Sequence, residues 1–213
     1  MNRLIVDTST SHTFLQFIQR GKTNRMELTK ASLERDDWFA KLVDEYFEED
    51  LDSVAIGRGP GSFTGLRISF AYIKIRCLLQ NIPLFTFSSG RFWHSFFELP
   101  ENAWLCIRMN KNMYYAFNSL GDFKAVESSA LSNSQLPDFF DFNEVYLWET
   151  SGRKTFPALA GGHNTSRNLH TIEKLNNPRF QFPNEILEPA DSESALPDYG
   201  HEIQYATVQN KRN

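Results

Sequence analysis

Cysteine is almost absent from this chain: two residues in 213, Cys77 and Cys106, build neither a disulfide framework nor a four-ligand zinc centre. Long apolar runs are missing too. The uncharged stretch from Cys77 to Gly90 is broken by Gln80, Asn81 and Pro83 and is too short to cross a bilayer. Asp7 interrupts the apolar opening Leu4-Ile5-Val6, so no secretory leader and a cytoplasmic location are expected. Positive charge is in short supply, with a net charge of -4 and a pI near 5.8. That excludes a protein that coats nucleic acid by bulk charge and leaves only local basic patches. The five histidines, at 12, 94, 163, 170 and 201, form no His-x-x-x-His pair. His163 and His170 have the spacing to share a helix face but lack Cys or carboxylate partners, and Glu149 stands without an acid or base companion. No metal and no cofactor is expected.

What is present is ordinary globular material: 41% hydrophobic and 23% charged residues, enough at 24.6 kDa for one large domain or two small lobes. Phenylalanine is abundant, at 19 residues, which promises a large aromatic core with some rings left for a partner. Residues 3–7, 12–20 and 23–29 read as an antiparallel meander, with turns at Thr8-Ser9-Thr10-Ser11 and Gly21. Asp36 to Glu49 carries Trp38, Phe39, Leu42, Val43, Tyr46 and Phe47 on one helical face. A strand at Ser53–Gly57, a glycine-rich loop, a helix at Gly65–Gln80 and a strand at Leu84–Phe87 complete a βαβ rhythm and imply a parallel sheet. Further on, residues 104–109 and 113–119 read as a hairpin, 145–148 as a buried strand and Ser128–Pro137 as a polar linker. Beyond Gly152, Gly161, Gly162, Pro178, Pro183, Pro189 and Pro197 imply a reduced, irregular second lobe.

The most informative stretch is Gly57-Arg58-Gly59-Pro60-Gly61-Ser62-Phe63-Thr64-Gly65-Leu66-Arg67. Its glycines permit positive φ, expected at Gly61, and close backbone approach; Ser62 or Thr64 caps the following helix. Two readings stay open: amides facing an anion, or a tight turn that packs helix on sheet. A Walker loop is excluded, because Gly61 and Gly65 enclose three residues and precede Leu66-Arg67. A nucleophile elbow is excluded, because Pro60 and Thr64 flank Ser62 where glycines are needed. Asp7-Thr8-Ser9-Thr10 either holds phosphates, as such turns do in actin-like ATPases and sugar kinases, or satisfies its own backbone.

Charge is segregated: residues 27–52 hold ten acidic against three basic side chains, whereas 53–80 hold four basic and none acidic. The second of the two helices is apolar nearly all round. Leu66, Phe70, Ile73 and Cys77 fall on one side and Ile68, Tyr72, Ile75 and Leu79 on the other, so it needs cover from two directions, from the acidic helix or from a partner chain.

Leu4-Ile5-Val6-Asp7-Thr8-Ser9-Thr10 and, above all, Gly59-Pro60-Gly61-Ser62-Phe63-Thr64-Gly65-Leu66-Arg67-Ile68 resemble the opening strand and signature loop of the TsaB (YeaZ) family of the glycoprotease-like superfamily. Met113-Tyr114-Tyr115-Ala116 is similar to a family strand and Leu196-Pro197-Asp198-Tyr199 to its terminal segment. The resemblance implies a two-lobed α/β fold of the actin-like ATPase and sugar kinase (ribonuclease H-like) type. Residues 1–100 would form the first lobe with its dimerisation helices, and 101–213 a smaller, divergent lobe. It implies a non-catalytic scaffold and activator of the complex that transfers threonylcarbamoyl to N6 of adenosine 37 in tRNA, with the catalytic subunit TsaD and the ATPase TsaE as partners. A homodimer in isolation, indirect tRNA contact and no membrane association follow. Catalytic relatives carry a metal-binding histidine pair where this chain has Lys30-Ala31-Ser32-Leu33-Glu34, and the glycine-rich turn of the second lobe is replaced by Trp148-Glu149-Thr150-Ser151-Gly152. Asp7, Thr8, Ser9, Gly59, Gly61, Ser62 and Thr64 are the expected phosphate-type loops; Trp38, Leu42, Tyr46, Arg67, Phe70, Tyr72, Ile75 and Leu79 are the expected partner interface. The alternatives are a stand-alone glycoprotease-like hydrolase and a nucleotide-binding kinase-like protein.

Overall fold

The computed structural model describes residues 1–30, 37–110, 112–132, 144–148, 168–172, 177, 179–191 and 195–199. The opening meander forms as the alternation predicts: β1 (Asn2–Asp7), β2 (His12–Gln19) and β3 (Lys22–Lys30). Then come α1 (Trp38–Phe47), β4 (Ser53–Gly57), α2 (Phe63–Gln80), β5 (Leu84–Phe87) and α3 (Ser89–Phe96). The rest comprises β6 (Ala103–Asn110), β7 (Met113–Phe117), β8 (Phe123–Glu127), α4 (Ser128–Ser132), β9 (Glu144–Trp148), β10 (Asn168–Thr171) and β11 (Glu188–Ala190).

Among the described residues the strands make two sheets, ordered β11-β5-β4-β1-β2-β3 and β10-β9-β6-β7-β8. In the first, β1, β2 and β3 are antiparallel while β4 and β5 run parallel to β1. The second repeats this plan: β6, β7 and β8 are antiparallel, and β9 and β10 are parallel to β6. A meander followed by parallel strands beside its first member is the ribonuclease H-like arrangement, and its occurrence twice makes this an actin-like α/β fold. The repeat is one of topology, and no fixed sequence period accompanies it.

Alternation along the strands distributes side chains to three cores. Leu4 and Val6 of β1 join Val54 and Ile56 of β4 beneath α1 and α2, which contribute Phe39, Val43, Phe70 and Ile73. Ile5, Phe14 and Ala55 face the other way, into a core shared with α3 (Phe92, Trp93, Phe96) and the second sheet (Leu105, Ile107, Phe117, Trp148). Trp104, Cys106, Tyr114 and Leu147 pack on the far face of the second sheet, against Leu131 of α4.

Several expectations are corrected. Most of the aromatic surplus goes inward, with Phe14, Phe87, Phe92, Trp93, Phe96, Phe180 and Phe182 in the shared core, while Phe63 stays exposed. The supposed linker at 128–137 begins as helix α4, its residues 133–137 lying outside the described ones. His170 is on strand β10, not a helix, with its ring stacked on Tyr146 at 4.6 Å. Lys30 ends β3 and Trp148 ends β9; residues 31–34, Glu149–Gly152, Gly161, Gly162, His163 and His201 fall outside the described residues. β11 brings residues 188–190 back to the edge of the first sheet, antiparallel to β5.

Candidate functional site

Asp7 ends β1 fully buried, and its carboxylate is enclosed by donors. Oδ1 accepts from the Ser9 amide (3.0 Å), the Ser9 hydroxyl (2.6 Å) and Trp93 Nε1 (3.0 Å), and Oδ2 accepts from the Ser89 hydroxyl (2.5 Å). Ser89 Oγ in turn accepts from the Gly59 amide at 3.0 Å, so one carboxylate fastens β1, its turn, the glycine loop and α3. Burial pushes the Asp7 carboxyl above the usual carboxylate range, against the pull of these four hydrogen bonds.

The glycine loop closes on that turn. The Ser62 amide donates to the Ser9 carbonyl at 2.6 Å, and Ser62 Oγ caps α2 by accepting from the Gly65 amide at 3.3 Å. Thr64 is exposed and makes no cap. A Cβ on Gly61 would stand 2.2 Å from the Ser9 carbonyl oxygen, and one on Gly65 2.3 Å from that of Thr8. Gly61 is therefore required by backbone approach, whereas positive φ belongs to Gly59, at +99°; this corrects the expectation for Gly61. Thr8 Oγ1 meets Ser69 Oγ of α2 at 2.7 Å. All the phosphate-type residues except Thr64 are thus brought together, and their amides at 9, 59 and 62, like that of neighbouring Gly65, are already bonded within the protein.

The outer side of the loop is covered by residues 195–199. The Asp198 amide donates to the Arg58 carbonyl at 2.6 Å, Lys74 Nζ donates to the Ala195 carbonyl at 2.8 Å, and the Tyr199 ring lies 4.7 Å from that of Phe63. Arg58 pairs with Glu188 of β11 through two hydrogen bonds, of 2.8 and 3.4 Å. Tyr115 of β7 donates to the Tyr199 carbonyl at 3.4 Å, so both sheets touch this strap. Among the described residues no three His, Cys, Asp or Glu side chains are placed to share a metal ion.

The expected partner residues divide. Tyr46 and Phe70 lie in the first core, 3% and 2% exposed, and are corrected from surface to interior. Leu66, Phe70, Ile73 and Cys77 are all buried, the last three in the core under the first sheet and Leu66 beside Gly59, while Tyr72, Trp38 and Leu42 are half-buried where α1 meets α2. There the Tyr72 hydroxyl donates to Asp44, and Arg76 approaches Asp44 at 3.8 Å, joining the acidic helix to the basic one. Arg67 is exposed, and Ile75, Leu78 and Leu79 stand bare at 58%, 54% and 78%. Leu78, missed in the sequence, follows from the same helical phase as Ile75. Ser89 and Trp93 were missed as well; Ser88-Ser89 directly after β5 was the available helix-start signal, and Ser88 Oγ does cap α3.

Residues 36–130 match the sequence model of the family described as "TsaD: tRNA N6-adenosine threonylcarbamoyltransferase", a span just under half of the chain. No curated protein matches significantly. Among solved structures the chain is similar to YeaZ from Pseudomonas aeruginosa, at 20% identity over 60% of this chain and 64% of that one, with a TM-score of 0.43. A second Pseudomonas aeruginosa structure, of a protein with similarity to peptidase YeaZ, gives 21% identity, the same coverages and the same TM-score of 0.43. A Bacteroides thetaiotaomicron protein with an actin-like ATPase fold gives 10% identity over 72% of this chain and 84% of that one, with a TM-score of 0.44. This chain thus spans 64% of the length of each YeaZ-type structure, and the fold assignment rests on strand order, not on these scores. Residues 36–130 are thus similar to the model of the threonylcarbamoyltransferase family, in keeping with the resemblance read from the sequence.

Proposed function

We propose that this protein acts in tRNA threonylcarbamoyladenosine formation as a non-catalytic scaffold and activator, holding the catalytic subunit TsaD and working with the ATPase TsaE in the cytoplasm. The observation that carries the reading is the bare face of α2: Ile75, Leu78 and Leu79 are exposed on a helix whose other side is fully used by its own sheet. An exposed apolar helix face is the kind of surface that a second, homologous lobe covers. The same face would serve a homodimer in isolation, so the two assemblies compete. The lobes at 1–100 and 101–213 are proposed as its two units, with β11 and residues 195–199 of the second returning to the first, and with tRNA contact made through the partner. The Asp7 and Gly59 loops serve the scaffold by rigidity, since their carboxylate and amides are spent on joining β1, α2 and α3. No helix among the described residues is long and apolar enough to cross a membrane.

The test supplies tRNA, threonine, bicarbonate and ATP to the pathway's other enzymes with and without this chain, and measures modified adenosine after digestion. Product is expected only when both this chain and the catalytic subunit are present. Equal product without this chain overturns the scaffold role, and product without the catalytic subunit overturns its non-catalytic status.

A further inference from the structure

At the opposite end of β1 from Asp7 lies a cavity of about 590 Å³, bounded by the start of β1, the β2–β3 turn and residues 179–184. Three of its lining residues are cations, Arg3, Lys22 and Arg179, and none of the described lining residues is a carboxylate. None of the three makes an ion pair with a described residue. Arg3 is half-buried and pre-set: Nε donates to Ser53 Oγ at 3.0 Å, Nη1 donates to Asn184 Oδ1 at 2.7 Å, and the guanidinium lies over the Phe85 ring at 5.5 Å. These partners orient the charge without neutralising it, and burial holds the guanidinium below its ordinary value. Beneath the cavity Gln16 is fully buried, with Nε2 donating to the lining Thr23 hydroxyl at 2.8 Å and Oε1 without a partner. Ile18 and the edges of Phe180 and Phe182 supply an apolar wall.

We propose that this cavity binds a small organic phosphate, its phosphate held by Arg3, Lys22 and Arg179 and its apolar body set against Ile18, Phe180 and Phe182. The volume lies in the range of small-ligand pockets, on the order of 300 to 1,000 Å³. With Nη2 also donating to Met1 Sδ at 3.6 Å, Arg3 keeps one further N–H on each of Nη1 and Nη2 for a phosphate, and two exposed cations add attraction without further burial cost.

The test is titration calorimetry of the whole chain with AMP and with inorganic pyrophosphate. Lys22→Glu combined with Arg179→Glu changes only exposed side chains, and an unchanged melting curve verifies its fold. One molecule of AMP is expected per chain, with affinity falling about ten-fold or more in the double variant and in Arg3→Lys, which keeps the charge but loses the fork. Absence of heat with both probes overturns the proposal. So does AMP binding that the double variant leaves intact, which puts the ligand elsewhere.

Discussion

Gly61 and Ser9 meet backbone to backbone, leaving no room for a side chain between them. Gly61→Ala places its Cβ 2.2 Å from the Ser9 carbonyl oxygen, an overlap that only a shift of backbone relieves. A loss of about 1 to 3 kcal/mol is expected, read as a fall in melting temperature. His94 of α3 offers a different lever: it is buried beside the Ala103 carbonyl, 3.3 Å from Nε2, and burial holds its imidazole below its ordinary value. Since the folded value lies below the unfolded one, its contribution is present above about pH 6.5 and is lost as pH falls through the folded value. His94→Gln should therefore flatten the decline in melting temperature below about pH 6.5, and an equal acid decline in both proteins would contradict it. At this scale the sequence exposed the loop residues but not their partners. Ser89 and Trp93 reach Asp7 across 82 and 86 positions, and no local pattern reports such a contact.

Helix α2 was legible although it is apolar nearly all round, because helical phase alone divides it: Leu66, Phe70, Ile73 and Cys77, foreseen as one side, are all buried. Its start and stop are equally local, with Ser62 as cap and Asn81 in the left-handed region at φ 54°. Strands β8 and β11 were not legible. β8 has exposed Lys124, Ala125 and Glu127 around a single buried Val126, so alternation is weak. β11 is three residues including Pro189, and only the edge position opposite β5 makes it a strand. The helix also sets the test of the interface. Tyr72→Glu would place a carboxylate beside Asp44 and disturb the α1–α2 contact, whereas Ile75→Glu and Leu79→Glu alter only exposed positions. Both should leave the melting temperature nearly unchanged and shift the light-scattering mass to that of the monomer; folded variants with unchanged mass would exclude this face.

Across the whole molecule, the two sheets share one aromatic core, in which Phe92 is fully buried between Phe14, Phe87, Phe180 and Phe182. Phe92→Ala is expected to cost about 3 to 5 kcal/mol. Because that loss falls on both sheets, calorimetry should show a single transition moved downward; two separated transitions would mean that the lobes melt independently. The repeated strand order was hidden from the sequence, since divergence keeps the alternation of each strand while erasing residue identities.

Edge strand β11 gives the chain an order of completion in time. A ribosome delivers β1 through β5 well before residues 188–190, yet β5 keeps an unpaired edge until those residues arrive. The nascent first lobe therefore waits, with one row of backbone groups open, while the whole second sheet is made. The Arg58–Glu188 pair and the Asp198–Arg58 contact close in the same late step, so the glycine loop takes its final shape only when almost all of the described chain has emerged.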